Sequence, residues 1–440
     1  MVTDPKPSSN PLAVPTGRLA RIAGLSSMTA GIAGNVAARA IREIGRGARP
    51  DIRDLLMTPG NVTRIADQLA RMRGAAMKVG QLISMDGGEV LPPELADIMA
   101  RLRDQAHFMP PKQLRDVLNK NWGQDWPKSF QNFNVRPIAA ASIGQVHRAT
   151  LRDGRDVAIK VQYPGVARSI DSDIANVAAL VRMSGFLPKH FDLDPYIEEA
   201  RCQLHEETDY EREGQQLHHF SELLQGDEAF EIPKFYPDWS TSEVLTMSFL
   251  ESRPIETVSD ASKEERNRVA EVLVDLTLRE IFEFGVMQSD PNFANFRYNP
   301  ANRKISLLDF GAARTLQSSA IGQYIHFLRA GLLGDDERLR ETAIQLKFMD
   351  GNGPFDDRIL GMIRSVFDAI LSADEFDFSD RTLSKHLRKE GMALAEARYI
   401  PPQVPMDVLY LQRKIGGIFL LATQLNASVP VKKLLAKYVI

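Results

Sequence analysis

With 440 residues, the chain is long enough for one large core or for two to three packed units. Hydrophobic residues make up 44% and charged residues 25%, as in ordinary globular proteins, and a net charge of −3 gives no field that attracts nucleic acid. The single cysteine, Cys202, excludes a disulfide within the chain and lies in a helical pattern, where we expect a small packing residue.

The N-terminal part of the chain is basic, because residues 1–53 hold eight Lys and Arg against three acids, a local charge of +5. Such a segment favours an anionic membrane surface, and it is equally typical of a solvated arm. Residues 1–17 hold four prolines among polar residues, which predicts a disordered leader. The uncharged run 22–38 has 17 residues, fewer than the about 20 that span a bilayer, so we expect a buried or interfacial helix.

A helical extension is predicted for residues 18–125. Its apolar residues recur at steps of three, four and seven, the spacing of one buried helix face. This stripe consists of Leu55, Val62, Ile65, Leu69 and Met72. A further helix is expected after Pro92-Pro93, where four apolar residues again share one face.

In residues 126–250 the hydrophobic period changes to that of strands, which predicts a small sheet with inserted helices. Asp153-Gly154 separates two strand patterns and predicts a hairpin turn. Helical patterns follow over residues 165–223. The predicted strands are 146–151, 157–162, 232–237 and 243–249.

Residues 251–440 are predicted to be mainly helical, with a long helix over 262–284 that ends at Gly285. Loops are expected at 351–354 and 401–405, where glycine and proline cluster. A small part with a sheet followed by a larger helical part is the layout of protein kinases. The predicted fold is therefore α+β, a protein-kinase-like bilobal fold preceded by the helical extension.

Two motifs in this helical part indicate a metal-dependent site. Asp290 and Asn295 are five residues apart, the spacing of the aspartate and asparagine in the catalytic loop of protein kinases. Asp309 opens an Asp-Phe-Gly motif fourteen residues after Asn295, which leaves room for one short hairpin. The hairpin would bring Asn295 and Asp309 together, and we expect both to bind Mg²⁺, which prefers carboxylate and amide oxygens. We expect Asp290 to act as the base or to orient the substrate.

A third motif lies upstream, where Val157-Ala158-Ile159-Lys160 matches the kinase strand whose lysine binds the phosphates of ATP. Such a tetrapeptide is common in half-buried strands, and only its position before the other two motifs gives it weight. The loop before it is expected to cover the phosphates, although kinases usually have glycine there. Its residues are Ala139, Ala140, Ala141 and Ser142.

An acidic run at 206–213 supplies candidates for the carboxylate that holds Lys160. Asp209 and Glu213 are one turn apart and share a helix face. A charge run is usually a solvated helix face, and without the other motifs that interpretation would be preferred. Met247 begins the segment 247–251, which is expected to link the lobes and to contact the adenine through backbone groups.

Four features together resemble the UbiB (aarF-domain) family of atypical kinase-like proteins. They are Lys78-Val79-Gly80-Gln81, the alanine-rich loop, Glu207-Thr208-Asp209 and the segment 287–292. The chain looks most like the coenzyme Q biosynthesis subgroup of mitochondria and its bacterial relatives, from about residue 74 to residue 424. Gln288-Ser289 replaces the histidine that is common before the catalytic aspartate in kinases, a departure from their standard loop.

The resemblance implies a kinase-like fold whose helical extension packs over the active site. It implies that Lys78 and Gln81 enter or cover the site, and that Glu207 and Asp209 help to hold that arrangement. By position, Lys160 and the acidic run's Glu213 look like the ion pair of such folds. Family members are associated with ATP binding, ATPase activity and support of ubiquinone biosynthesis at membranes.

The expected cofactors are therefore ATP and Mg²⁺. The expected partners are quinone precursors or lipid, quinone-biosynthesis proteins and a peripheral membrane surface. The expected location is cytoplasmic or peripheral on the inner membrane, on the matrix side in a eukaryote. Two alternatives stay open: a non-catalytic nucleotide-gated scaffold or lipid-binding module, and a Ser/Thr protein kinase. The extension and the alanine loop argue against the protein kinase, whereas the sequence barely separates the scaffold from an enzyme.

Overall fold

The computed structural model describes residues 69, 72–86, 108–184, 192–397, 399 and 401–439. The predicted leader, the helix at 22–38 and the helix after Pro92-Pro93 lie outside these residues. The helices are α1 Arg73–Asp86, α2 Pro111–Trp122, α3 Val166–Ser184, α4 Asp194–Glu207, α5 Tyr210–Leu223, α6 Lys263–Arg279, α7 Ser318–Leu333, α8 Asp336–Gln345, α9 Asp356–Leu371, α10 Thr382–Glu396, α11 Met406–Gln424 and α12 Val431–Val439.

Thirteen short strands are present among the described residues. They are β1 Phe130–Phe133, β2 Ala139–Ala140, β3 Gly144–Leu151, β4 Asp156–Gln162, β5 Phe230–Glu231, β6 Val244–Ser248, β7 Arg253–Pro254, β8 Val286–Gln288, β9 Phe296–Asn299, β10 Lys304–Leu307, β11 Ala313–Thr315, β12 Phe376–Asp377 and β13 Ser428–Val429.

The chain forms two compact units. The first contains the described residues up to His218 together with Lys234–Phe249. The second contains His219–Pro233 together with the described residues from Leu250 onward. The finer borders expected from the sequence, at residues 17, 125 and 250, stay predictions.

An antiparallel five-stranded sheet organises the first unit, in the order β1-β3-β4-β6 with β2 added to β3. β3 and β4 form the predicted hairpin, and its turn contains Gly154 at φ +88°, a conformation that glycine adopts without strain. Beside the sheet, α1 packs against α3 and α4. An aromatic cluster with ring centroids 5.0–6.0 Å apart closes the other end of the core, formed by Trp122, Trp126, Phe130, Phe133 and Trp239.

The second unit is mainly helical and contains a four-stranded sheet in the order β5-β10-β9-β7. Its long helix α6 begins after Ser262, whose hydroxyl accepts a hydrogen bond from the backbone N–H of Glu265. A π-helical turn, Glu280–Phe284, continues α6, and Gly285 ends it in the left-handed conformation at φ +64°. The predicted helix over 262–284 and its terminating glycine are therefore confirmed.

Two expectations are wrong. Residues 232–237 do not form the continuous strand that was predicted: the strand there is Phe230–Glu231, Phe235 makes a single antiparallel bridge to Met247 of β6, and a 3-10 turn follows at Pro237–Trp239. Pro233 and Pro237 have no backbone N–H to donate to a strand ladder, so pairing with β6 is confined to the short stretch between them. Cys202 is not a packing residue, because it is exposed on α4.

A chain of hydrogen bonds through the buried side chains of Gln145 and His147 ties the start of α2 to β3 of the first unit. The Met109 backbone N–H donates to Gln145 Oε1 at 2.8 Å, and Gln145 Nε2 donates to His147 Nε2 at 2.8 Å. His147 Nδ1 in turn donates to the Asn134 carbonyl at 2.8 Å. This arrangement requires a neutral imidazole, and burial lowers the pKa of His147 to about 4.

We expect the protein to lose stability as the pH falls from about 6.5 to about 4. In this window the unfolded chain protonates His147 and the folded chain does not, so protons favour unfolding, by about 3 kcal/mol in total. Urea denaturation at a series of pH values measures the effect. His147→Gln should flatten this part of the profile, and His386→Gln, at an exposed position on α10, should leave it unchanged. Equal slopes for the two variants would contradict the assignment.

Candidate functional site

A buried ion pair joins β4 to α5 in the first unit. The Lys160 ammonium donates to both carboxylate oxygens of Glu213, at 2.7 and 2.9 Å. Both side chains are buried, and the ammonium lies 5.0 Å from the centroid of the Tyr210 ring. These residues are 53 positions apart in sequence, so the fold itself brings them together. Lys160 is therefore held at a fixed place by two hydrogen bonds and an aromatic face.

A second ion pair connects α1, the helix of the extension that carries Lys78, to the end of α4. Lys78 is only 5% exposed and pairs with Glu207. Glu207 also accepts a hydrogen bond from the Ser142 hydroxyl at 3.0 Å. One carboxylate thus holds the lysine of the extension and the serine of the alanine-rich loop. Gln81 lies half-buried one turn after Lys78 on the same helix.

Asp209 stands between α4 and α5 and caps the second of these helices. Its carboxylate accepts a hydrogen bond from the backbone N–H of Arg212 at 3.0 Å, and its carbonyl accepts one from Glu213 at 3.1 Å. Asp209 therefore fixes the start of the helix that carries Glu213. Its predicted part in the nucleotide site stays a prediction.

The alanine-rich loop is a tight hairpin. Ala139 and Ala140 pair with the first residues of β3, and the Ala141 N–H donates to the Gly144 carbonyl at 2.8 Å. A Cβ on Gly144 would lie 2.5 Å from the Val161 carbonyl oxygen, so glycine at this position serves the close approach of two backbones. The loop is anchored on one side by this contact and on the other by Ser142.

α1 packs directly onto the turn of this hairpin. A Cβ on Gly74 would lie 3.1 Å from Ile143 Cγ2 and 3.3 Å from the Ser142 carbonyl oxygen.

Met247, the predicted adenine contact, lies in β6, is 6% exposed, and pairs with Ala158 of β4. Its predicted contact with the adenine stays a prediction.

The predicted hairpin between Asn295 and Asp309 is present in the second unit as β9 and β10. The Leu308 N–H donates to the Asn295 carbonyl at 3.1 Å and closes the base of this hairpin. Asn295 and Asp309 line one small cavity. The structure therefore brings these two residues together, as the sequence predicted.

Asp290 is held on two sides. Its carboxylate accepts hydrogen bonds from Arg413 Nη2 of α11 at 2.7 Å and from Asn295 Nδ2 at 3.3 Å. Asn295 Nδ2 also donates to the Asp290 carbonyl at 3.1 Å. Because the amide nitrogen of Asn295 is engaged in this way, its oxygen is the atom that a metal would take.

The donor set fits a magnesium ion that also binds phosphate. Among the described residues, no three His, Cys, Asp or Glu side chains form a group that could hold a metal. Mg²⁺ is usually bound through one or two carboxylates together with substrate phosphates and water, and a closed protein cage is not needed. One carboxylate, Asp309, and one amide, Asn295, are compatible with that mode.

Gln288 stands where kinases have a histidine, and the structure shows what it contacts. Its side-chain Nε2 donates to the Asp309 carbonyl at 3.1 Å, and its Oε1 accepts from the Asp290 N–H. One amide thus ties the loop of Asp290 to the Asp-Phe-Gly motif. The sequence pointed to Gln288 only as a departure and gave no signal for Arg413, which is 123 residues away from its partner.

The ABC1 atypical kinase-like domain matches residues 101–343 of the chain. The chain belongs to the ABC1 atypical kinase-like family. The atypical kinase COQ8, mitochondrial, of Saccharomyces cerevisiae is 39% identical over 430 residues, which cover 96% of this chain and 84% of the yeast protein. The atypical kinase COQ8B, mitochondrial, of Danio rerio is 35% identical over 420 residues, 94% of this chain and 67% of the fish protein.

A solved structure agrees with the fold. The complex of Rv3197 with erythromycin from Mycobacterium tuberculosis superimposes with a TM-score of 0.61 over 86% of this chain and 96% of the other, at 24% identity. These comparisons confirm the UbiB-type family, the kinase-like fold and an atypical kinase-like protein. The kinase-like domain implies nucleotide binding.

Within the described part of the chain, no helix is both long and apolar enough to cross a bilayer.

Proposed function

We propose that the protein binds ATP with Mg²⁺ and uses it for phosphoryl transfer or ATP hydrolysis in support of ubiquinone biosynthesis. The observation that supports this most is the grouping of Asp290, Asn295 and Asp309 on one catalytic-type loop and hairpin. Bound Mg²⁺ would supply positive charge that neutralises phosphate oxygens. Asn295 and Asp309 would hold it, and Asp290 would orient or deprotonate the acceptor.

We propose that the ammonium group of Lys160 binds the phosphates of ATP. Glu213 fixes the direction of its ammonium through two hydrogen bonds, and this position is supported by the match to the kinase strand. The hairpin of Ala139, Ala140, Ala141 and Ser142 would cover the phosphates. The hydrogen bond from Ser142 to Glu207 would hold this hairpin in one position.

The acceptor that fits this proposal is a small molecule or lipid, such as a quinone precursor. Lys78 and Gln81 stand on a helix that is fixed against the alanine-rich loop through Glu207 and Gly74, an arrangement that leaves less freedom to admit a folded protein substrate. We further propose peripheral contact with the inner membrane and with quinone-biosynthesis proteins. The two relatives described above are named as mitochondrial, which favours the matrix side in a eukaryote.

A non-catalytic nucleotide-gated scaffold is the second candidate. The observation in its favour is the Arg413–Asp290 ion pair at 2.7 Å, because an arginine bound to the carboxylate competes with a substrate proton for it. In the scaffold, nucleotide binding alone would change the affinity for a partner or lipid.

Asp290→Asn separates the two candidates. If Asp290 takes part in chemistry, ATP turnover should fall by about a hundredfold to ten-thousandfold, while Mg–ATP binding persists. Turnover is measured by phosphate release and binding by calorimetry, with exposed Asp260→Asn as the control. No turnover in the wild type together with intact Mg–ATP binding would favour the scaffold. Unchanged turnover in the Asp290 variant would instead reject the catalytic role proposed for Asp290.

A further inference from the structure

A buried ion pair behind the proposed metal ligands has no part in the chemistry described so far. Lys414 of α11 approaches Glu280, in the π-helical turn after α6, with 2.6 Å between Nζ and Oε2. Their side chains are 1% and 2% exposed. Burial raises the pKa of Glu280, and the adjacent ammonium of Lys414 opposes that rise.

This pair lies at the wall of the cavity that Asn295 and Asp309 also line. Gln288 lines the same cavity, and its backbone N–H contacts Glu280 Oε1 at 3.5 Å. Lys414 itself lies 5.6 Å from the centroid of the Phe296 ring, the first residue of β9 after Asn295. The ion pair therefore contacts Gln288, which precedes the loop of Asp290, and Phe296, which begins the hairpin between the two proposed metal ligands.

Gln288 continues these contacts to the site. Its side chain accepts from the Asp290 N–H and donates to the Asp309 carbonyl. A contiguous path thus runs from Lys414 through Glu280 and Gln288 to the residues proposed to bind metal and substrate. Each step is a hydrogen bond or ion pair between buried or half-buried groups.

Stability does not explain a buried ion pair of this kind. Taking two charges out of water costs about as much as their attraction returns, and apolar residues of similar volume often stabilise a protein equally well. Removing one partner is different, because the remaining charge is then buried without compensation. A variant that removes both charges can therefore keep the stability of the protein, so any change in its metal binding reports the positioning of the metal ligands.

We propose that Lys414, Glu280 and Gln288 are positioning residues that fix the geometry of the Mg²⁺ ligands Asn295 and Asp309. This rests on the proposed function, because it needs a metal at those two residues. Outer-shell groups of this kind orient ligands, and their loss typically weakens metal affinity about tenfold to a hundredfold.

The test uses the double variant Glu280→Leu/Lys414→Met, which removes both charges and keeps apolar volume. Denaturant unfolding is measured together with the Mg²⁺ concentration that half-saturates binding of ATP. We expect the double variant to unfold close to wild type, unlike Lys414→Met alone, and to need about tenfold to a hundredfold more Mg²⁺. A double variant with the wild-type Mg²⁺ requirement overturns the proposal.

A second variant keeps the test decisive if the double variant does not fold. Gln288→Met preserves side-chain length and removes both hydrogen bonds, and it should raise the Mg²⁺ requirement in the same way. Gln412→Met makes the same change at an exposed position of α11 and should not alter it. If Gln288→Met also binds Mg²⁺ as the wild type does, the proposal is wrong while the proposed function stands. A wild-type protein that binds no Mg–ATP overturns the proposed function, and this inference with it.

Discussion

Replacing Asp309 by asparagine should lower Mg²⁺-dependent ATP turnover by on the order of a hundredfold to a thousandfold. The substitution keeps the size of the side chain and removes the only carboxylate among the two proposed metal ligands. It also keeps an oxygen that can accept the hydrogen bond from the Gly311 N–H, which is 3.0 Å from Asp309 Oδ1. The local turn should therefore survive while the charge that neutralises the metal is lost.

The measurement is phosphate release at a series of Mg²⁺ concentrations. Asp374→Asn makes the same change at an exposed position of the second unit and should keep the wild-type rate. A partial recovery of the Asp309 variant at high Mg²⁺ would agree with a weakened metal site. Equal rates for wild type and Asp309→Asn would reject the assigned metal role.

Gly417→Ala should both destabilise the protein and impair turnover, because α11 touches the loop of Asp290 at this glycine. A Cβ at Gly417 would lie 2.3 Å from Pro291 Cβ and 2.5 Å from Pro291 Cγ, so the helix or the loop must move. Overpacking of this kind costs about 1–3 kcal/mol. Since Arg413, one turn earlier, binds Asp290, the displacement should also disturb the carboxylate that we propose to be catalytic.

The neighbouring glycine supplies a matched control. A Cβ on Gly416 would meet no atom within 4 Å, and alanine is a better helix former than glycine, so Gly416→Ala should stabilise by about 0.5–1 kcal/mol. Thermal unfolding and ATP turnover of the two variants are compared directly. If Gly417→Ala and Gly416→Ala have the same unfolding temperature and the same turnover, the close contact between α11 and Pro291 is contradicted.

The parts of the site that follow from local sequence were predictable. The hairpin between Asn295 and Asp309 follows from their spacing, and the helix end at Gly285 follows from the left-handed conformation that glycine tolerates. The pairing of Lys160 with Glu213 could be anticipated because a kinase-type motif requires an acid on a facing helix. The first two features depend on a few neighbouring residues, whereas the pairing of Lys160 and Glu213 was expected from the resemblance to a known family.

The parts that depend on distant packing were not predictable. Arg413 and Lys414 lie in an apolar helical pattern more than a hundred residues after Asp290 and Glu280, and no periodicity indicates which acids they meet. The role of Gln288 needed the backbone positions of two loops, which only the fold provides. The strand predicted at 232–237 shows the opposite failure, where apolar residues suggested a continuous ladder and only a single bridge, between the two prolines, is present.

The central claim is that the protein binds an adenine nucleotide through a magnesium ion, and titration of the purified wild type with ATP in the presence and absence of Mg²⁺ tests it most directly. We expect saturable binding of one ATP that weakens markedly when Mg²⁺ is removed by chelation. Heat signals indistinguishable from dilution under both conditions, from a protein shown to be folded, would contradict the account.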